Sequence, residues 1–314
     1  MDYREQPRQS SAGIGIDVGG SKIAGFVIEP SGSVVARTRI ETPEAGGDAV
    51  ANACLEMARD LLKVARSGGL SVGPIVLAMP GTIDSVSGIV RDSPVLKITE
   101  MGIVEHIQNA IGHPITVIHD VKAAAFGELM AGAGIGQADV AYLNIGTGVS
   151  MAFVFDWEVH RGVNGIAGEI GHVCAEPEGI RCNCGRYGCL ETVASGPAIV
   201  RSAPQYHGLQ ELAAAAVRGE PAAVAALTTA ADHLGRVLAD YMMVLDLQTL
   251  MVGGGASNVG SPLLVPLQAA FDRYLADVTA TVRVVPAALG SESGVLGAAH
   301  RSRLLRDDRR SSRW

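Results

Sequence analysis

The chain has 314 residues, 48% hydrophobic and 18% charged, with a formal net charge of -7 at pH 7. That length buries a substantial core and suits two lobes, and basic residues scattered along a mildly acidic chain exclude the cationic stripe that a nucleic-acid backbone demands. The start, MDYREQPRQSSAG, lacks the apolar core of a signal peptide and no later run is apolar for long enough to span a bilayer, so a cytoplasmic globular protein with neither nucleic acid nor membrane as partner is expected.

The first ordered stretch, GIGIDVGGSKIAGFVIE, reads as two β-rich runs around a Gly-Gly turn, with a third run at 33–40. A helix is predicted over about 48–66, where Cys54 sits on the apolar face as a small buried hydrophobe. A strand at 74–78, a loop holding Pro80 and Gly81, a helix near 100–111 and a strand at 115–118 follow, and an alanine-rich helix begins after Asp120. The segment DVAYLNIGTGVSMAFVFD then repeats the opening theme of strand, glycine turn and strand, so an α/β chain with two related halves is expected. Farther on, LQTLMVGGGASN is a buried-looking strand running into Gly253, Gly254 and Gly255, before a helix with Pro262 near its start. ALGSESGVLGAAHRSRLL reads as a loop and a final amphipathic helix, and residues 1–10 and 307–314 are expected to be disordered.

A glycine turn between strands leaves main-chain N–H groups open to an anion. Gly19, Gly20 and Ser21 form the first such turn, with Asp17 before it and Lys22 after it, and Gly146, Thr147 and Gly148 form the second. Together they could hold one polyphosphate, with Asp17 holding magnesium directly or through water; ordinary hairpin turns are the alternative. Neither a Walker loop nor a dinucleotide fingerprint occurs at the relevant strand ends, which favours the two-hairpin reading. The turn at Gly253–Gly255 either lets an adenine or ribose lie against the main chain or only makes a tight strand–helix connection. Asp120, at the junction of strand and helix, either caps the helix or reaches a cleft to take a proton from an attacking hydroxyl.

The segment GVNGIAGEIGHVCAEPEGIRCNCGRYGCLETVASGPAI carries the strongest signal. His172, Cys182, Cys184 and Cys189 supply one imidazole and three thiolates, a complete set for a closed structural zinc, and a C-x-C pair is badly placed to bridge with itself. Three unrelated reduced thiols are the alternative, and Cys174 is a bystander. Gly185 and Gly188 let the chain turn tightly around an ion. Glu169 and Glu191 flank the cluster, either as acceptors for the hydroxyls of a polyhydroxylated ligand or as solvated surface acids.

DVGGSK, the strand-end Asp120, NIGTGVS, AGEIGH, CNCGRYGCLE and VGGGAS occur in the order found in the ROK family, and from about residue 14 to 299 the chain resembles that family's glucokinases. The resemblance implies a two-lobed actin-like ATPase (ribonuclease H-like) fold with a zinc knuckle. A small lobe would take 11–120 with a C-terminal helix at 293–306, and a large lobe 121–292, the two closing on an aldohexose. ATP and Mg2+ would lie at the two hairpins, on Asp17, Gly19, Gly20, Ser21, Lys22, Gly146, Thr147 and Gly148, with Gly254 and Gly255 at the adenosine. By the same resemblance Asp120 is the catalytic base, Glu169, His172 and Glu191 bind sugar hydroxyls around C1 to C3, and Gly81, Val95 and His119 complete the sugar-binding set. Zn2+ would be held by His172, Cys182, Cys184 and Cys189, and the molecule would be a homodimer or homotetramer.

Departures from the family pattern cluster near the sugar. His119 stands where Asn is usual, Val95 replaces the Asn of S-P-N-L, Lys122 replaces the amide of D-A-N, and Ser150 replaces a glycine. Val95 can neither donate nor accept a hydrogen bond, and such a loss shifts discrimination between substrates strongly. The expected activity is therefore phosphorylation of the C6 hydroxyl of a hexose modified at C3 or C4, such as the amino sugar 3-amino-3-deoxyglucose (kanosamine) of antibiotic biosynthesis. An ordinary glucokinase, a C7-cyclitol kinase and a non-catalytic sugar sensor are the alternatives. The dozen residues before the first strand are too few for the helix-turn-helix of ROK repressors, so direct DNA binding is not expected.

Overall fold

Gly13–Val18 (β1) and Lys22–Ile28 (β2) pair antiparallel around the Gly19–Ser21 turn, and Val34–Glu41 (β3) continues the hairpin as an edge strand. These belong to a computed structural model that describes residues 11–305; the disorder expected of 1–10 and 307–314 lies outside the described residues. Helix α1, Asp48–Ser67, buries Val50, Cys54, Met57, Leu61 and Leu62 on one stripe, the 3.6-residue spacing that the sequence shows. Gly25 in β2 makes room for it, since a Cβ there would run into Met57 and Leu61. Ile75–Met79 (β4) is buried throughout, as a strand covered on both faces must be.

Between residues 82 and 101 the structure departs from the expected loop and early helix. Thr82–Asp84 (β5), Ile89–Ser93 (β6) and Ile98–Met101 (β7) form a small antiparallel sheet, and helix α2 starts only at Ile103 and runs to Ile111. Strands of three to five residues are too short to show a period of two, which is why they pass as loop. Ile115–His119 (β8) then leads straight into α3, Asp120–Ala131.

The second series is Val140–Ile145 (β9), Val149–Phe155 (β10), Glu158–His160 (β11), four helices at Glu191–Ala194 (α4), Gly196–Ser202 (α5), Leu209–Val217 (α6) and Pro221–Val244 (α7), then Thr249–Gly253 (β12), Ser261–Tyr274 (α8) and Arg283–Pro286 (β13). Its sheet has the order β11-β10-β9-β12-β13, and the first sheet has β3-β2-β1-β4-β8. In each, a hairpin is extended by two parallel strands, so the two related halves legible in the sequence are two copies of one topology.

The closing helix α9, Ser293–Leu304, is not amphipathic as expected. Every residue from Ser293 to Ser302 is buried. It lies on β1 and α3 because small residues let backbones touch: a Cβ at Gly13 or Gly15 would strike the main chain of α9, and Gly127 and Gly297 face each other across the α3 crossing. The fold divides into two compact units. Among the described residues, one comprises 11–135, Val159–Ile166 and 291–305; the other comprises Gly136–Glu158 and Ala167–Gly290. Each has its own apolar core, around Ile14, Ile16, Leu61 and Leu77 in the first and Leu143, Leu227, Leu238 and Phe271 in the second. Among the described residues no helix is long and apolar enough to cross a membrane.

Candidate active site and metal cluster

In the first unit β1, β4 and β8 run parallel, with Asp17 beside Ala78 and Met79 beside His119, so their C-terminal ends form one edge. Open α/β sheets offer that edge to ligands. It gathers Asp17, the Gly19–Ser21 turn, Gly81 and Asp120. The turn is closed by Gly19 N–H donating to the Lys22 carbonyl at 2.9 Å and is braced by Thr42, whose hydroxyl donates to the Gly19 carbonyl at 2.6 Å. Sequence reading missed Thr42, which no motif marks. Gly20 and Ser21 remain exposed. Val95, in the helical turn Pro94–Leu96 and expected in the sugar-binding set, packs over Gly20, so it lies beside the Gly19–Ser21 turn. Gly81 has φ 112 and lies on the main chain of Asp92 and Ser93, which only glycine permits.

Asp17 keeps a little accessible surface but is enclosed by protein. Burial, and then the negative charge of Asp120, push its carboxyl up to about 7, against the opposing pull of Lys22. Asp120 is partly exposed, with its Oδ1 accepting from Val121 N–H at 2.7 Å. His119 Nδ1 accepts from Val121 N–H at 3.3 Å and lies 3.1 Å from that same Oδ1, so the imidazole that replaces the family's amide caps α3 beside the carboxylate. The helix cap expected of Asp120 falls to His119, and Asp120 is the first residue of α3. His119 also faces a pocket of about 290 Å³ with Thr82, Asp84, Lys122, Arg161 and Asn164.

In the second unit β9 and β12 are parallel neighbours, with Asn144 opposite Gly253. The turns Gly146–Gly148 and Gly253–Gly255 therefore leave the same sheet edge. Gly254, at φ 83, lies against the Ile145 carbonyl, and Gly146 N–H closes its turn on the Gly148 carbonyl at 2.9 Å. Glu191, the first residue of α4, accepts from Val149 N–H at 3.1 Å and fills the space that a side chain on Gly148 would need. Assigned to sugar hydroxyls from the sequence, Glu191 also braces the second glycine turn.

His172, Cys182, Cys184 and Cys189 offer ligand atoms that all lie within 4.8 Å of one another. Cys184 Sγ and Cys189 Sγ are 3.6 Å apart, and Cys182 Sγ and His172 Nδ1 are 3.7 Å apart. Ligands at about 2.3 Å from a tetrahedral zinc stand about 3.8 Å apart, so the residues fit that ion. Gly188, at φ 64, lies on the Glu176 main chain where no side chain fits. Burial pushes the free Cys189 thiol up to about 12, whereas the Arg186 N–H holds Cys184 below the ordinary thiol value. Cys174 stays outside the cluster, as expected, bridged only through its main chain to Cys189. The two ring nitrogens of His172 divide its two expected roles: Nδ1 faces the thiols, and Nε2 points toward Glu169, 3.9 Å from its Oε2.

Two sheets of one topology, each opening on a glycine hairpin, define a protein of the actin-like ATPase class, here carrying a four-ligand His/Cys cluster. Residues 13–303 match the ROK family, and the chain belongs to it. It is 31% identical to the glucokinase of Streptomyces coelicolor, across 92% of this chain and 97% of that protein. It is 30% identical to the N-acetylmannosamine kinase of Yersinia pseudotuberculosis, across 91% of this chain and 97% of that one. The crystal structure of a ROK family glucokinase from Streptomyces griseus in complex with glucose and AMPPNP superimposes with a TM-score of 0.78 at 30% identity, covering 93% of this chain and 99% of that one.

Proposed function

We propose that this chain is an ATP-dependent sugar kinase that phosphorylates the C6 hydroxyl of a glucose-like hexose in the cytoplasm. The observation that carries the reading is Asp120, a partly exposed carboxylate at a strand end, close enough to Asp17 at the first glycine turn to raise its pKa. The likeness to glucokinases, one of them solved with glucose and AMPPNP, supports the substrate pair.

In this reading Asp120 accepts the C6 hydroxyl proton as that oxygen attacks the γ-phosphorus, and the bond to the β-phosphate oxygen breaks to release ADP. Amides of the turns at Gly19–Ser21 and Gly146–Gly148 and the ammonium of Lys22 stabilise the phosphate charge, and Gly254 and Gly255 admit the adenosine. Glu169 and Glu191 accept from sugar hydroxyls, and His172 donates to one through Nε2. Asp17 would hold Mg2+, which neutralises charge on the phosphates. His172, Cys182, Cys184 and Cys189 would hold a structural Zn2+ that cross-links the loop carrying them.

The finer reading is a hexose modified at C3 or C4, such as 3-amino-3-deoxyglucose. Val95 and His119, neither of them the amide usual in the family, support it, and similarity to an N-acetylmannosamine kinase fits a sugar site that tolerates change. ATP consumption measured across glucose, 3-amino-3-deoxyglucose, N-acetylmannosamine and a C7-cyclitol tests both levels. Highest catalytic efficiency with glucose removes the modified-sugar reading. Absence of ATP consumption with every sugar removes the kinase reading and leaves a sugar sensor. A homodimer or homotetramer is the assembly proposed, to be checked by light scattering.

A further inference from the structure

Two residues beyond Asp120 a lysine stands inside the protein. Lys122 lies in the first turn of α3 and is 6% exposed. Its ammonium donates to the main-chain carbonyls of Gly165 at 2.5 Å and Arg161 at 3.5 Å. Burying an ammonium is costly unless its protons find acceptors, and these carbonyls supply two.

Both carbonyls belong to residues 161–166, which follow β11, group with the first unit and rejoin the second at Ala167. Little apolar burial holds them there. Val163 is 96% exposed, and Asn164 and Ile166 are exposed as well. Gly165, at φ 77, lies close to the Ile83 carbonyl through its backbone alone. Arg161, Asn164 and Gly165 form one wall of the 290 Å³ pocket, while Thr82 and Asp84 form another and His119 lines it between them. Four residues after Gly165 the chain reaches Glu169.

We infer that Lys122 is a positioning residue: its ammonium anchors residues 161–166 to α3, and so shapes the pocket beside His119 and sets the path of the chain into Glu169. A shorter neutral amide at 122 could not span the distance that the four-carbon stem covers. The anchoring stands by itself; the effect on sugar binding rests on the kinase reading above.

Lys122→Met keeps the stem and removes the donors, and Lys122→Arg supplies donors again. Hydrogen exchange by mass spectrometry and trypsin cleavage after Arg161 read the anchor on the intact chain without any turnover. Loss of a hydrogen bond from a charged group is worth about 1.5–3 kcal/mol, so exchange at 162–166 and cleavage after Arg161 should rise about tenfold or more in Lys122→Met, and sugar KM likewise. Exchange in β1, kcat and the KM for ATP should stay near wild type, and Lys122→Arg should recover part of both effects. Unchanged exchange at 162–166 overturns the anchor even if no sugar is phosphorylated. Faster exchange in β1 as well shows a merely structural role and also overturns it. Local loosening with an unchanged sugar KM overturns the positioning of the sugar site. A wild-type chain that consumes no ATP sinks the kinase reading alone, with the exchange data still deciding the anchor.

Discussion

Val95 closes over Gly20: a methyl group added to Gly20 would meet the Cγ1 of Val95 and little else. A β-branched side chain has few rotamers to retreat into, and the turn below it is tied to Lys22 and Thr42. Gly20→Ala is therefore expected to cost about 1 kcal/mol of stability and to raise the KM for ATP. Val95→Ala in the same chain should recover most of the loss, because the clash has a single partner. Urea melts of the two single variants and the double variant measure the coupling, and strict additivity would show that Val95 does not press on the turn.

Asp120→Asn keeps the shape and the acceptor for Val121 N–H but removes the proposed base. General-base loss costs about 10²- to 10⁴-fold in kcat. The melting temperature should hold or rise, since a partly exposed charge that burdens Asp17 has been removed. A coupled assay for ADP with a parallel thermal melt checks both; near-normal turnover would take Asp120 out of the role.

Asp17 supplies a prediction in pH. In the folded protein its carboxyl is pushed up to about 7, against 3.8 for an unperturbed aspartate, through burial first and Asp120 second. Between those values the native state holds a proton that the unfolded chain has lost, so the stability linked to this group is complete below 3.8 and is lost as pH rises to about 7. Metal-free Asp17→Asn, neutral throughout, should melt well above the wild type at pH 8 and converge with it toward pH 4. Equal melting temperatures across that range would mean that Asp17 is solvated like an ordinary carboxylate.

The His/Cys cluster should hold one zinc per chain as purified, counted by plasma mass spectrometry. Cys182→Ser removes one of the two buried thiolates of the set, and structural zinc contributes on the order of 10 kcal/mol to folding in small domains, so zinc content and melting temperature should both fall. Full zinc retention in that variant would show that the metal, if bound, sits elsewhere.

Much of the molecule was legible along the chain. The apolar stripe around Cys54, the two strand–turn–strand openings and the four metal-ligand candidates depend on neighbours within a few turns or loops, and such short-range patterns survive in one dimension. The same is true of Asp120 at its strand end. The small sheet from Thr82 to Met101 was not legible, because strands that short carry no periodic signal.

Only the tertiary structure decided what the side chains touch. His119, expected in the sugar-binding set, also caps α3 beside Asp120, Lys122 looked like a stray cation and holds the carbonyls of Arg161 and Gly165, and Glu191 braces the turn at Gly148 some forty residues away. The helix at Ser293–Leu304 looked amphipathic, yet it is buried by β1 and α3, which lie far from it in sequence. Residue type and spacing dictate what a segment can do locally, whereas burial, close approach and pKa arise from contacts across hundreds of residues that no local pattern encodes.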